Sequence, residues 1–81
     1  MLRDIVLEAA ESDAEQFSVT FWKVETGAAV AEGDELVVLE SVEEKTALAV
    51  RSPVAGTLSS IEADEDTVVR QGSVLCRVEV G

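Results

Sequence analysis

The chain is expected to be all-β, a flattened β-barrel or sandwich whose two halves are related by a quasi-two-fold axis. Three observations point there. Short strand-like runs recur along the 81 residues with turn signals between them. A turn glycine followed by an apolar strand occurs twice, 39 residues apart, at Gly33 and at Gly72. Ser12 with Glu15 fits helix-cap spacing, but no apolar stripe follows it, so Glu8 to Gln16 reads as a loop.

Asp4 to Leu7 is the first run. Ser18 to Val24 is the second, and only one of its neighbours Phe21 and Trp22 can face the core, because side chains alternate along a strand. Thr26-Gly27 and Glu32-Gly33-Asp34 then lead into Glu35 to Glu40. Ala47 to Val50 returns from a polar tip and ends at Ser52-Pro53, where proline fixes the turn and blunts the strand end. Gly56 to Ile61 passes through Asp64-Glu65-Asp66 and Gln71-Gly72-Ser73 to the last run, Val74 to Val78. Alternation groups Cys76 with Val74 and Val78, which predicts a buried and inert thiol. Gly33 and Gly72 are expected in tight turns at positive φ.

The repeat places Val30 on Val69, Gly33 on Gly72, Leu36 on Leu75 and Glu40 on Glu79, and keeps the apolar phase at Leu39 and Val78. One copy is too short to bury its own apolar face, so the two are expected to share one core. The polar tip follows the first copy and the C-terminus follows the second. The tip and the chain ends should therefore lie at opposite poles.

Composition excludes several classes of function. Residues 1–81 are the size of one small domain. A single cysteine forms no internal disulfide, and without histidine it gives neither a zinc-ligand set nor a nucleophilic triad. Carboxylates are plentiful, but so short a chain has little room for a substrate cleft, so a non-catalytic protein is expected. Seventeen acidic against six basic side chains give a net charge of −11. That surface repels nucleic acid and anionic membranes and favours encounter with a basic partner. No run approaches the roughly 18 apolar residues of a spanning helix, and Met1 to Leu7 breaks to Glu8 too soon for a secretory signal. A cytoplasmic location with a reduced thiol is expected.

One of only two lysines, Lys45, lies on the acidic tip between β-prone arms, in Leu39-Glu40-Ser41-Val42-Glu43-Glu44-Lys45-Thr46-Ala47-Leu48. A hairpin there would hold an amine out where a modifying enzyme can reach it. The plainer role is a surface pair with Glu43 or Glu44, worth at most about 1 kcal/mol. Lys23, beside Trp22, is expected to solvate the outer face of its strand.

Nearly end to end, the sequence resembles the biotinyl/lipoyl carrier family, and in particular the lipoyl domains of 2-oxo acid dehydrogenase acyltransferases. Arg3-Asp4-Ile5-Val6-Leu7 and Phe21-Trp22-Lys23-Val24 resemble the family's first two strands. Val30-Ala31-Glu32-Gly33-Asp34-Glu35-Leu36 is similar to its Val-x-x-Gly-Asp-x-Leu segment, and Ser52-Pro53-Val54-Ala55-Gly56 to the Ser/Ala-Pro-x-x-Gly after the carrier hairpin. Counted back from Ser52, Lys45 takes the place of the family's modified lysine, seven residues before the serine. Counted from Glu40, it matches only if Glu43-Glu44 is a two-residue insertion in the family's Glu-Ser/Thr-Asp-Lys-Ala. Glu40-Ser41-Val42 also resembles the glycine-cleavage H protein. An even insertion keeps both strands in phase. With Ser41 paired to Thr46 and Val42 to Lys45, Glu43-Glu44 would form the turn and Lys45 would sit beside it.

The resemblance implies the single-hybrid-motif fold and a swinging-arm carrier, with lipoate joined covalently to Lys45. It implies that Glu40, Glu43, Glu44 and Thr46 serve partner recognition. The implied partners are a lipoate ligase or lipoyltransferase and the decarboxylase and dehydrogenase components of a multienzyme complex, with the isolated domain monomeric. Biotin is the alternative group, but biotin carriers flank their lysine with methionine. Here the neighbours are Glu44 and Thr46, and Met1 is the only methionine. A third reading is an unmodified interaction module that keeps the fold.

Overall fold

A computed structural model describes residues 1–8 and 14–81. Eight strands follow one another: β1 (Leu2–Val6), β2 (Gln16–Trp22), β3 (Ala29–Val30), β4 (Glu35–Ser41), β5 (Ala47–Arg51), β6 (Gly56–Ile61), β7 (Val68–Arg70) and β8 (Val74–Glu79). They form two four-stranded antiparallel sheets, ordered β1-β8-β6-β3 and β5-β4-β2-β7. All six expected strands are present, with shifted ends: the first is Leu2–Val6 rather than Asp4 to Leu7, and the second begins at Gln16 and stops at Trp22. The additional strands β3 and β7 contain Val30 and Val69, a pair the repeat superimposes. The expected loop at Glu8 to Gln16 and its Ser12 cap fall largely outside the described residues, and Gln16 itself belongs to β2.

The quasi-two-fold symmetry is written in the backbone hydrogen bonds. Gly33 N–H donates to Ser52 O at 2.7 Å, and Gly72 N–H to Leu7 O at 2.9 Å. Lys23 N–H donates to Leu36 O as Glu62 N–H does to Leu75 O, and Asp34 N–H to Ala31 O as Ser73 N–H does to Arg70 O. Gly33 and Gly72 both have positive φ, 92° and 88°, as expected of these turns. At the second left-handed pair, Gly27 (φ 93°) is matched by Asp66 (φ 68°). Aspartate tolerates this conformation better than most side chains, which is why the repeat survives without a second glycine there.

Four bulges settle which residues enter the core. Thr20 and Ser59 are each an extra residue between regular pairs, Val19↔Leu39 and Phe21↔Val38 on one side, Leu58↔Val78 and Ser60↔Arg77 on the other. A bulge flips the alternation beyond it. Trp22 therefore turns inward and Phe21, 42% exposed, faces solvent. The indole N–H of Trp22 donates to Ala63 O at 2.7 Å. Leu36 and Leu75 are the extra residues of the other two bulges, so the neighbours Leu36-Val37 and Leu75-Cys76 are buried in succession.

The two copies share the interior, as expected, and it divides into two clusters that Trp22 and Val50 bridge. Phe17, Val19, Val37, Leu39 and Val69 from the β5-β4-β2-β7 sheet surround Leu75 of the opposite sheet. Ile5, Val30, Leu58, Cys76 and Val78 from the β1-β8-β6-β3 sheet surround Leu36 in the same manner. Each leucine displaced by a bulge crosses into the other sheet's cluster, while half-buried Trp22 and Val50 pack against both. Cys76 is fully buried as expected, and burial pushes its thiol up to about 11. That keeps it protonated and unreactive near neutrality.

Gly56 holds the two inner elements close. A Cβ there would collide with the carbonyl oxygen of Glu79 and with Cγ1 of Val78. Gly56→Ala is expected to destabilise the protein by about 1–3 kcal/mol through overpacking, read as a lower urea midpoint with an unchanged slope. An unchanged midpoint would contradict the packing described.

Candidate functional site

Of the seven connections between successive strands of the described residues, six pass from one sheet to the other, and β4 to β5 stays within its sheet. The chain ends occupy the quasi-equivalent place between β8 and β1: Val80 N–H donates to Met1 O just as Ser41 N–H donates to Thr46 O. Trp22, at the end of β2, meets Ala63, just past the end of β6. Gln16, whose carbonyl accepts Val42 N–H of the tip, pairs with Arg70 at the end of β7. From that side β8 runs to Val80 beside Met1, so the tip and the chain ends lie at opposite ends of β8, as the repeat predicts.

The tip is a tight, ordered turn. Ser41 closes it three ways: its N–H donates to Thr46 O at 2.9 Å, its carbonyl accepts Lys45 N–H at 2.8 Å, and its hydroxyl accepts Glu44 N–H at 2.9 Å. The hydroxyl contact spans the spacing of a helix N-cap and closes a single helical turn. Lys45 ends that turn in the left-handed region, φ 59°, which costs a non-glycine residue about 1–2 kcal/mol. Thr46 Oγ1 donates to Glu44 O at 3.4 Å.

This geometry corrects the turn expected from the sequence. Ser41 and Thr46 pair as expected, but Val42 does not pair with Lys45. Its N–H donates instead to Gln16 O, 3.0 Å away at the start of β2. The turn is thus not Glu43-Glu44 with Lys45 beside it; Lys45 is the last residue of the tip itself. Ser41 organises the tip, and sequence reasoning gave it only its strand pairing with Thr46, with no part for its hydroxyl. Its signal was present in Ser41-x-x-Glu44, the capping spacing considered only at Ser12.

Glu43, Glu44, Lys45 and Thr46 are all exposed, and Glu40 is exposed at the end of β4, opposite Ala47 and Ser18. Glu43 and Glu44 share a shallow groove with Ala14 and Glu15. Five ion pairs occur among the described residues, and Lys45 is in none of them. The surface pair with Glu43 or Glu44 considered for it is not formed. Lys23 is bound more closely than a merely solvating lysine: its ammonium lies 2.9 Å from Glu35 Oε1, with Arg51 3.6 Å from the other oxygen. The hydrogen bond and charge of Lys23 hold the Glu35 carboxyl below its ordinary value. The acidic tip therefore brings together Glu40, Glu43, Glu44, Lys45 and Thr46, with Lys23 elsewhere on the surface.

The family model Biotin_lipoyl, described as biotin-requiring enzyme, matches residues 7–78. The chain belongs to the biotin/lipoyl family. Its fold is similar to that of the lipoyl domain of the 2-oxoglutarate dehydrogenase complex from Azotobacter vinelandii, solved by NMR in solution. That domain shares 23% identity at a TM-score of 0.72, covering 95% of this chain and 98% of that one. At this identity the likeness is one of fold. No curated protein matches the chain.

The two lysines are expected to differ in reactivity. A limiting amount of an N-hydroxysuccinimide ester should acylate Lys45 several-fold ahead of Lys23, as read by peptide mass spectrometry. Equal labelling would contradict the difference in pairing.

Proposed function

We propose that this protein is a swinging-arm carrier, lipoylated on Lys45, that serves a 2-oxo acid dehydrogenase-type multienzyme complex without being a catalyst itself. The observation that carries this reading is the position of Lys45. Its amine stands on the one connection that leaves a sheet as a hairpin, in an ordered turn and outside the ion pairs of the described residues. Membership of the biotin/lipoyl family supports it from the sequence side.

The residues present fit the group. Attachment needs an accessible primary amine and a partner enzyme that delivers lipoate as an activated acyl donor. Lys45 Nζ attacks as the neutral amine, its ammonium proton having gone to solvent; it forms the amide, loses a second proton and displaces the activating group. A lipoyl group supplies a dithiolane at the end of a long flexible arm; the protein supplies the amine, its placement and recognition. Ser41 and Thr46 fix the base of the tip. Glu40, Glu43 and Glu44 give the surroundings of Lys45 a negative field, which steers it towards basic surfaces on the ligase or lipoyltransferase and on the decarboxylase and dehydrogenase components.

Lipoate is favoured over biotin because Glu44 and Thr46 flank the lysine where biotin carriers have methionine. The intact mass of protein made in cells supplied with both vitamins decides the matter. A lipoyl increment that disappears in Lys45→Arg is expected. A biotinyl increment would move the protein to carboxylases. An unmodified mass, with both ligases active on control domains, would leave an interaction module.

A further inference from the structure

We propose that Ser41 is the positioning residue of the attachment hairpin: its hydroxyl, by capping the Glu44 N–H, fixes the tip in the geometry that presents Lys45 for acylation. The proposal rests on the carrier reading of Lys45 and adds a residue on which that reading depends.

The internal symmetry supplies the control. Ser41 of β4 is quasi-equivalent to Val80, which follows β8. Both make the same strand-closing bond, Ser41 N–H to Thr46 O at 2.9 Å and Val80 N–H to Met1 O at 2.8 Å. The pairing of the two strands therefore forms at Val80 with no hydroxyl present. What Ser41 has in addition is Oγ, and Oγ accepts the Glu44 N–H at 2.9 Å, inside the tip. Ser41 is 1% exposed, so its hydroxyl is inside the protein, where a polar group needs a partner. The hydroxyl serves the tip rather than the sheet.

The bond acts on Lys45 through the backbone. Capping Glu44 holds the helical turn of Val42 to Glu44, and that turn aims Lys45 N–H at Ser41 O, 2.8 Å away. Without the cap, Lys45 has less reason to keep its left-handed φ of 59°. The tip then samples several shapes, and an enzyme that reads one of them meets it for only part of the time. Such a loss raises the apparent KM in inverse proportion to the competent population that remains. Turnover at saturation is left largely intact.

The test compares the parent chain, Ser41→Ala and Ser41→Thr by two readouts. One is amide hydrogen exchange at Glu44 and Lys45 in the unmodified chains, followed by NMR. The other is KM and kcat for lipoylation by a lipoate ligase, with thermal unfolding alongside. In Ser41→Ala, most of the exchange protection at both amides should be lost, as expected where loss of the cap leaves the capped turn a minority conformer. KM should rise several-fold, by the inverse of the capped population that remains, kcat should change less than twofold, and the melting temperature should fall by no more than about 10 °C. Ser41→Thr, which keeps an Oγ, should recover both readouts. Unchanged exchange in Ser41→Ala, or faster exchange with an unchanged KM, would overturn the proposal. So would a fall in rate that merely tracks unfolding. If the parent chain takes no lipoyl group while a control domain does, the carrier reading fails and the presenting role fails with it. The exchange data then still decide whether Ser41 holds the turn.

Discussion

The structure depends on two left-handed turns that carry the chain from one sheet into the other. At Gly33 the chain leaves β3 and enters β4; at Gly72 it leaves β7 and enters β8. In each case the glycine N–H is tied to a carbonyl at the end of an edge-strand segment, Ser52 or Leu7. A positive φ near 90° is open to glycine and strained for almost anything else, so the crossing has a strict residue requirement. Once both crossings are made, the bulged leucines three residues later, Leu36 and Leu75, are delivered into the cluster of the facing sheet. The sheets are thereby interlocked by their own connections as well as by face-to-face packing.

That way of building leaves one exception, and the exception is where the proposed function resides. Among the described strands the β4–β5 turn joins two neighbours of one sheet, so it is a hairpin with an exposed tip, and its symmetry mate lies where the chain ends meet. A chain made of two copies of one half has one such turn to give. On the carrier reading, this leaves a partner enzyme a single protruding lysine to find, with the rest of an acidic surface steering the encounter. If Glu43-Glu44 is the insertion that the resemblance implies, its length is taken up in one helical turn, at the modest entropic cost expected of a surface loop.

Much of the fold was legible because the signals were local. Gly33 and Gly72 with their following leucines announced the repeat, and alternation at Val74, Cys76 and Val78 announced a buried thiol. What escaped depended on contacts between distant segments. β3 and β7 are two and three residues long, too short to carry a pattern, and they exist because β6 and β2 pair with them. The bulges at Thr20 and Leu36 are features of how distant strands pair, so the inward turn of Trp22 and the double burial of Leu36-Val37 could not be read from the alternation within one strand. At the tip, counting residues gave the two-residue turn that strand pairing alone would allow. The backbone went elsewhere because Gln16, twenty-six residues from Val42, offers a carbonyl and Ser41 offers a hydroxyl.

The central claim is that Lys45 accepts its group from this extended tip as it stands. The direct measurement is a time course of lipoylation by an active lipoate ligase, located by tandem mass spectrometry, on the parent chain and on a variant lacking Glu43 and Glu44. The account predicts that the parent chain is labelled on Lys45 and nowhere else. Label appearing on the shortened hairpin alone would contradict it, because the extended turn would then be a barrier to attachment.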